Sequence, residues 1–245
     1  FSASGTLNTA VLEDTFMVGD GVSATRHSTD GTSFTNTSAA PISVDMEDFQ
    51  GRIYIAGTAN SLFWSTTGTP TDWAFDSSSI NIPGPGKLTS VRKLDDRLVT
   101  GKNSGVQHRW DGYNIFDLST KLAPTSTRSI AKVERIDFGL NRLGIFAYSG
   151  AAPEIISNPI EKQIYNDLGS AIIGTTFDNA EGVAHNYEYM LSVGTITDDL
   201  TNETISDAIL VYDYQTNEWW NNTFNDRPRA WLSYNDATGS STLAF

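Results

Sequence analysis

One element recurs along this chain at near-constant spacing. An apolar strand ending in glycine appears as Phe16-Met17-Val18-Gly19, as Ile53-Tyr54-Ile55-Ala56-Gly57 and as Arg97-Leu98-Val99-Thr100-Gly101. Gly19 to Gly57 is 38 residues and Gly57 to Gly101 is 44. The runs Asn141–Ala147, Tyr187–Gly194 and Arg229–Tyr234 read as the fourth, fifth and sixth copies. Around each copy lie three or four short alternating segments separated by turn residues, as in Ser61–Ser65 with Thr71–Phe75, or Gly105–Gly112 with Ile115–Leu118. A period of about 40–45 residues with four strands per repeat is the pattern of propeller blades. One four-stranded sheet cannot cover both of its faces, so each blade needs neighbours.

The expected fold is therefore all-β: a β-propeller of about six four-stranded blades, with five as the alternative. The sixth group has only its first strand or two before Phe245, and Phe1–Leu7 is expected to pair there and close the ring. Residues 1–245 read as a single propeller domain, a piece of a longer or processed chain. One helix is expected at Pro159–Leu168, with Asn158 as its N-cap and Gly169 at its end.

Composition agrees. Only 18% of residues are charged, and no cysteine is present, which excludes disulfides and Cys-based zinc sites. The polar surface comes from Ser, Thr and Asn, which favour turns and strands over helix interiors. No stretch approaches the ~20 apolar residues of a membrane span.

The net charge of −13 is unevenly spread. Lys87–Arg142 holds eleven Lys or Arg against six Asp or Glu, while the remainder holds five against 23. The acidic majority argues against free nucleic acid as a ligand of the outer surface. The basic sector suggests contact with an acidic neighbour, such as another copy of the chain in a homo-oligomeric ring.

Chemistry-bearing motifs are few. His27, His108 and His185 stand on separate expected strands, none with a second His at metal spacing. Asp45-Met46-Glu47-Asp48 and Asp198–Glu203 gather oxygen ligands without calcium-loop spacing, and read as solvated loops. No P-loop, nucleophile elbow or H-E-x-x-H motif is present. Trp219-Trp220 and Trp231 form an aromatic group, expected to pack between blades or to present a sugar-stacking face. No catalytic, cofactor-binding or metal-binding residue is assigned, no cofactor is expected, and the chain is expected not to be an enzyme.

Three stretches carry resemblances. The line Arg52-Ile53-Tyr54, Asn60–Ser65 and Gly68–Trp73 resembles a blade of tailed-phage propeller proteins, and Ile80–Val106 resembles their next blade. Ala123–Ile130 and Leu143–Gly150 continue the likeness, which covers about residues 50–170. It implies a structural virion component of the tail nozzle or tubular kind, assembled in the host bacterial cytoplasm, with other tail proteins as partners. Leu210–Trp219 is similar to a kelch blade, and Ser28–Phe34 to the Asp-box of sialidase-type propellers, one residue short. These imply the alternatives, a kelch-like interaction module or a glycan-binding or glycan-cleaving propeller. The sialidase Arg-Ile-Pro start is absent; Arg52-Ile53-Tyr54 is the nearest run.

Overall fold

The computed structural model describes residues 5–74, 79–161, 180–197, 203–223, 232–235 and 241–244. The chain divides into two compact units, Phe1–Ala123 and Pro124–Phe245. The first unit holds three blades: β1–β4 (Asn8–Leu12, Thr15–Gly19, Arg26–Ser28, Thr35–Asn36), β5–β8 (Ser43–Phe49, Arg52–Gly57, Ser61–Trp64, Ser79–Asn81) and β9–β12 (Leu88–Leu94, Arg97–Lys102, Gln107–Trp110, Ile115–Ser119). The second holds two: β13–β16 (Ala131–Val133, Ile136–Asn141, Gly144–Tyr148, Glu154–Ile155) and β17–β20 (Glu181–His185, Glu188–Thr197, Thr204–Asp213, Glu218–Thr223). A hairpin of β21 (Leu232–Asn235) and β22 (Ser241–Ala244) completes the described elements. Every blade is an antiparallel meander whose sequential strands are neighbours.

The first hairpin of all five blades is closed by a two-residue turn, at 13–14, 50–51, 95–96, 134–135 and 186–187. Such turns need positive φ, because only then does their twist match that of the strands. Here the first turn residue is not glycine in any blade: Glu13, Gln50, Asp95, Glu134 and Asn186 take φ between 46° and 55°.

Second strands are buried on both faces, since a blade is covered on each side. In β6, five of six residues are buried. In the first unit, Met17, Met46, Ile53, Ile55 and Trp73 fill the seam of blades 1 and 2. Phe49, Tyr54, Leu62, Val91, Leu98 and Trp110 fill the seam of blades 2 and 3. There Trp110 stacks on Trp64 at 5.2 Å and meets Tyr54 edge-on at 5.2 Å. In the second unit, Phe138 stacks on Tyr189 at 5.2 Å, among Leu140, Leu191, Leu210 and Tyr212.

The all-β, four-stranded repeat is as expected; several placements are not. Among the described residues complete blades number five, and β21–β22 stands as a two-stranded sheet joined to no third strand. The expected closure by Phe1–Leu7 is not detected among the described residues. Residues 1–4 lie outside the described residues, and the Thr6 N–H donates to the Asp20 carbonyl of its own blade. The recurrent glycine-ended element is the second strand of blades 1, 2, 3 and 5, but Asn141–Ala147 runs from the end of β14 into β15. Blade 4's true equivalent is β14, with Gly139 packed near the Phe146 ring. Thr71–Ala74 is not a strand: a turn at Pro70–Thr71 precedes irregular chain, and the Trp73 indole N–H donates back to Pro70 O at 2.8 Å. Of the expected helix, Asn158–Ile160 forms a 3-10 turn capped at Ser157 rather than Asn158, and residues 162–179 lie outside the described residues.

Trp110 is the largest buried side chain of the blade 2–blade 3 seam. Trp110→Ala is expected to cost about 3–5 kcal/mol, seen as a lower urea midpoint. An unchanged midpoint would show that the seam contributes little.

Candidate functional site

Each first strand has a strand partner on one side only. In the first unit the other edge is met by polar side chains of the neighbouring blade. Asn8 on β1 donates to the carbonyls of Ser43 and Val44 at 3.0 and 3.2 Å, and the Ser43 hydroxyl donates to Asn8 Oδ1 at 2.6 Å. Asp45 on β5 accepts from the Val91 N–H at 2.9 Å and from the Arg92 guanidinium at 2.9 Å. Glu47 accepts the Lys93 N–H at 3.1 Å, and Lys93 Nζ lies 3.5 Å from Asp48. The run Asp45–Asp48, expected as a solvated loop, is thus inside strand β5. Alternation directs Asp45 and Glu47 to successive outward N–H groups of β9. Burial pushes the Asp45 carboxyl up from its ordinary range, against the pull of Arg92. Burial likewise pushes Glu47 up to about 7, with Arg92 opposing it and Asp45 and Asp48 adding to it.

A second polar group lies in the seam of blades 2 and 3. Lys102 is fully buried at the end of β10, and its amine donates to the carbonyls of Ile82 and Gly84 at 2.8 and 2.7 Å. His108, buried on β11, sets Nε2 3.2 Å from Asp117 on β12. Burial pulls both groups down from their ordinary values; for His108 the Asp117 charge opposes this and Lys102 adds to it.

The turns of blades 1–3 make the third feature. The first and last hairpin turns of a meander lie at one end of the sheet. Gly68 N–H donates to Gly51 O at 2.8 Å, and Gly112 lies beside Gln50 of the preceding blade. The described residues of these turns carry Glu13, Asp14, Asp30, Asp72, Asp95, Asp96 and Asp111 and no Lys or Arg. Several carboxylates also cap the turns. Asp30 accepts the Thr32 and Ser33 N–H groups, both at 2.8 Å, and Asp111 those of Tyr113 and Asn114. These N–H groups hold both carboxyls below the usual range. Tyr113, at 90% exposure, stands out among them. At the opposite end, the loops carry Lys87, Lys121 and the buried Asp20.

In the second unit, Arg128 pairs with Glu181 at 2.9 Å, and the Tyr189 hydroxyl donates to Ser129 O at 2.6 Å. Asp213 caps the last hairpin turn of blade 5 as Asp30 does in blade 1, and Trp219 packs 4.7 Å from Tyr212 while donating to Ile156 O. Trp220 is 36% exposed.

The three histidines do not converge. His27 bonds with Thr37 and Thr35, His108 faces Asp117, and His185 bonds with Asn186. Among the described residues no group of three His, Asp or Glu is placed to hold a metal ion. Residues 198–202 and Trp231 lie outside the described residues. Five of the eleven cations of the basic sector Lys87–Arg142 are paired or buried. Arg92, Lys93, Arg97 and Arg128 pair with Asp45, Asp48, Asp96 and Glu181, and Lys102 is buried. Sequence reading missed Lys102; its signal was a lysine closing a strand of otherwise buried residues.

No protein-family model matches the chain, and no curated protein is similar to it at a significant level. Solved structures do match. They include BBS1N in complex with ARL6DN (13% identity, TM-score 0.61, 99% of this chain and 74% of that one). YCF48 bound to D1 peptide matches at 12% identity and TM-score 0.56, over 98% and 76% of the two chains. The WD40 β-propeller domain of Doa1 matches at 10% and 0.53, over 99% and 90%. The fold is that of a β-propeller. At these identities the likeness is one of fold.

Glu47 gives a pH test. Its folded value lies above its ordinary 4.5, so ionisation opposes folding and stability falls as pH rises from about 4.5 to about 7. Glu47→Gln keeps an acceptor for the Lys93 N–H and removes this effect. Its melting temperature should exceed the parent's above pH 7, with the gap closing as pH falls towards 4.5. A pH-independent gap would show that Glu47 does not titrate there.

Proposed function

We propose that this chain is a non-enzymatic docking propeller whose copies associate end to end through opposite charge. The observation that carries this reading is the polarity of the first unit. Seven carboxylates occupy the described turns at one end, with Arg97 paired to Asp96 beside them, while Lys87 and Lys121 stand in the loops at the other. Contact between unlike ends is heterologous, so it generates rings or stacks rather than closed pairs. The titratable side chains of the seams serve the blades themselves: Asp45, Glu47, Glu181 and Arg128 tie neighbouring strands. The structural neighbours include YCF48 bound to D1 peptide and BBS1N in complex with ARL6DN, which supports the docking class.

Within that class, a component of a phage tail of the nozzle kind is the finer proposal, with the virion as its place and other tail proteins as further partners. Its support is the sequence resemblance over about residues 50–170. A stacking or ring-forming propeller suits such an assembly, since identical contacts repeat around or along an axis.

Exposed ion pairs contribute only about 0–1 kcal/mol each, so their sum governs orientation and association rate more than affinity. The screening length falls from about 8 Å at physiological salt to about 3 Å at 1 M. Sedimentation should therefore show oligomers at low salt that dissociate as salt rises. The triple variant Glu13→Lys, Asp14→Lys, Asp95→Lys should be monomeric throughout. A parent chain that is monomeric at every salt and at high concentration overturns self-association, and turnover of any member of a glycan panel overturns the non-enzymatic reading.

A further inference from the structure

The seam of blades 2 and 3 holds more polar chemistry than the packing uses. Trp110 and Leu98 are cross-strand partners, and both pack against blade 2. Alternation places Thr100 on this face of β10 and His108 on the same face of β11; Lys102 follows a register shift after Gly101, and its amine reaches the carbonyls of Ile82 and Gly84. Thr100 and His108 are direct cross-strand partners, so their Cβ atoms lie about 4.5–5.5 Å apart. Gly84 joins the group from the inter-blade loop. Its carbonyl accepts the Lys102 amine, and a Cβ built on it would sit 3.9 Å from His108 Cε1. The amine and the imidazole therefore flank one residue.

Four side chains here are at least nine-tenths buried: Thr100, Lys102, His108 and Trp110. Thr100 Oγ1, His108 Nδ1 and Trp110 Nε1 have no hydrogen-bond partner among the described residues. Each such atom destabilises the fold if nothing satisfies it. Lys102 has three donors when charged and gives two to carbonyls. Among the described residues no carboxylate forms an ion pair with it. Carbonyls and water solvate an ammonium only in part, and a buried charge calls for an opposite one.

The geometry points to a binding site for one small monovalent anion of halide size, held by the Lys102 amine, the Thr100 hydroxyl and the Nδ1 side of His108. The donor set fits an anion rather than a cation: an ammonium, a hydroxyl, and an imidazole nitrogen that donates once protonated. Trp110 Nε1, two residues along β11, is a fourth donor on this face. Size is limited by burial and by the Pro83–Gly86 segment, where the Ser104 hydroxyl donates to Pro85 O and Lys87 N–H donates to Asn103. The site couples to pH through His108. Its Nε2 faces Asp117, so a proton added to the neutral ring goes to Nδ1, towards the anion. Asp117 favours that proton and Lys102 opposes it; an anion held by the Lys102 amine offsets the opposition. Anion and proton uptake therefore reinforce each other.

The test compares sodium bromide with sodium gluconate, whose anion is too large for the site, at equal ionic strength on the full chain. The urea midpoint should rise with bromide and saturate, and the imidazole proton of His108 should titrate at higher pH in bromide by NMR. Thr100→Val, which keeps the side-chain shape, should weaken the apparent bromide affinity about tenfold or more. Lys102→Met should abolish the effect. Equal midpoints in the two salts, with an unmoved His108 titration, would assign the seam to water and overturn the proposal. So would a bromide effect of unchanged affinity in Thr100→Val, which decides the matter even if Lys102→Met fails to fold.

Discussion

The first strand of each blade is an edge strand, and what its open edge meets determines how neighbouring blades hold together. Backbone N–H groups at such an edge must find acceptors or remain in water. In the first unit the acceptors come from the adjacent blade: Asp45 and Glu47 on β5 reach Val91 and Lys93 on β9. Asn8 and Ser43 make the corresponding tie between β1 and β5 with neutral groups. These bonds fix the register of one blade against the next, which apolar packing alone would leave free to slide. They also explain the placement of ionisable groups in the interior. A carboxylate makes a stronger acceptor than an amide, at the cost of desolvation, and Arg92 offsets that cost at Asp45.

The repeat was legible because propeller blades are local meanders. Strand alternation, two-residue turns and a fixed period all lie within about 45 residues, so β2, β6 and β10 could be read directly from sequence. Legibility failed where a short-range side-chain bond turns the chain or a long-range partner decides. Thr71–Phe75 has strand composition, but the Trp73 indole closes a turn on Pro70. The second strand of blade 4 was displaced because Asn141-Arg142-Leu143-Gly144 looks like the start of an apolar strand, whereas Asn141 Oδ1 accepts the Leu143 N–H and turns the chain. Asp45–Asp48 looks solvated until β9 is laid beside it. His108 and Lys102 are 6 residues apart in sequence, with nothing to show that a loop from the preceding blade, carrying Gly84, lies between them.

Charge follows the same division. A sum over the sequence finds a basic stretch, but strand pairing sends its members to different places. Arg92 and Arg128 turn into seams, Lys102 goes inside, and Arg97 meets Asp96. Strand direction sorts charge along the blade axis instead, since alternate turns emerge at opposite ends. A field organised this way orients an approaching partner before contact.

The hairpin turns join these two themes. Glu13, Asp95 and Glu134 hold a left-handed backbone that costs an L-residue about 1–2 kcal/mol and glycine almost nothing. At these positions local folding preference and side-chain charge pull in opposite directions, and the chain keeps the charge. Each turn is therefore a small spring held in tension by the two strands it joins. A blade whose strands loosen would release its first hairpin before its core, and the acidic end would lose its order while the seams remained packed.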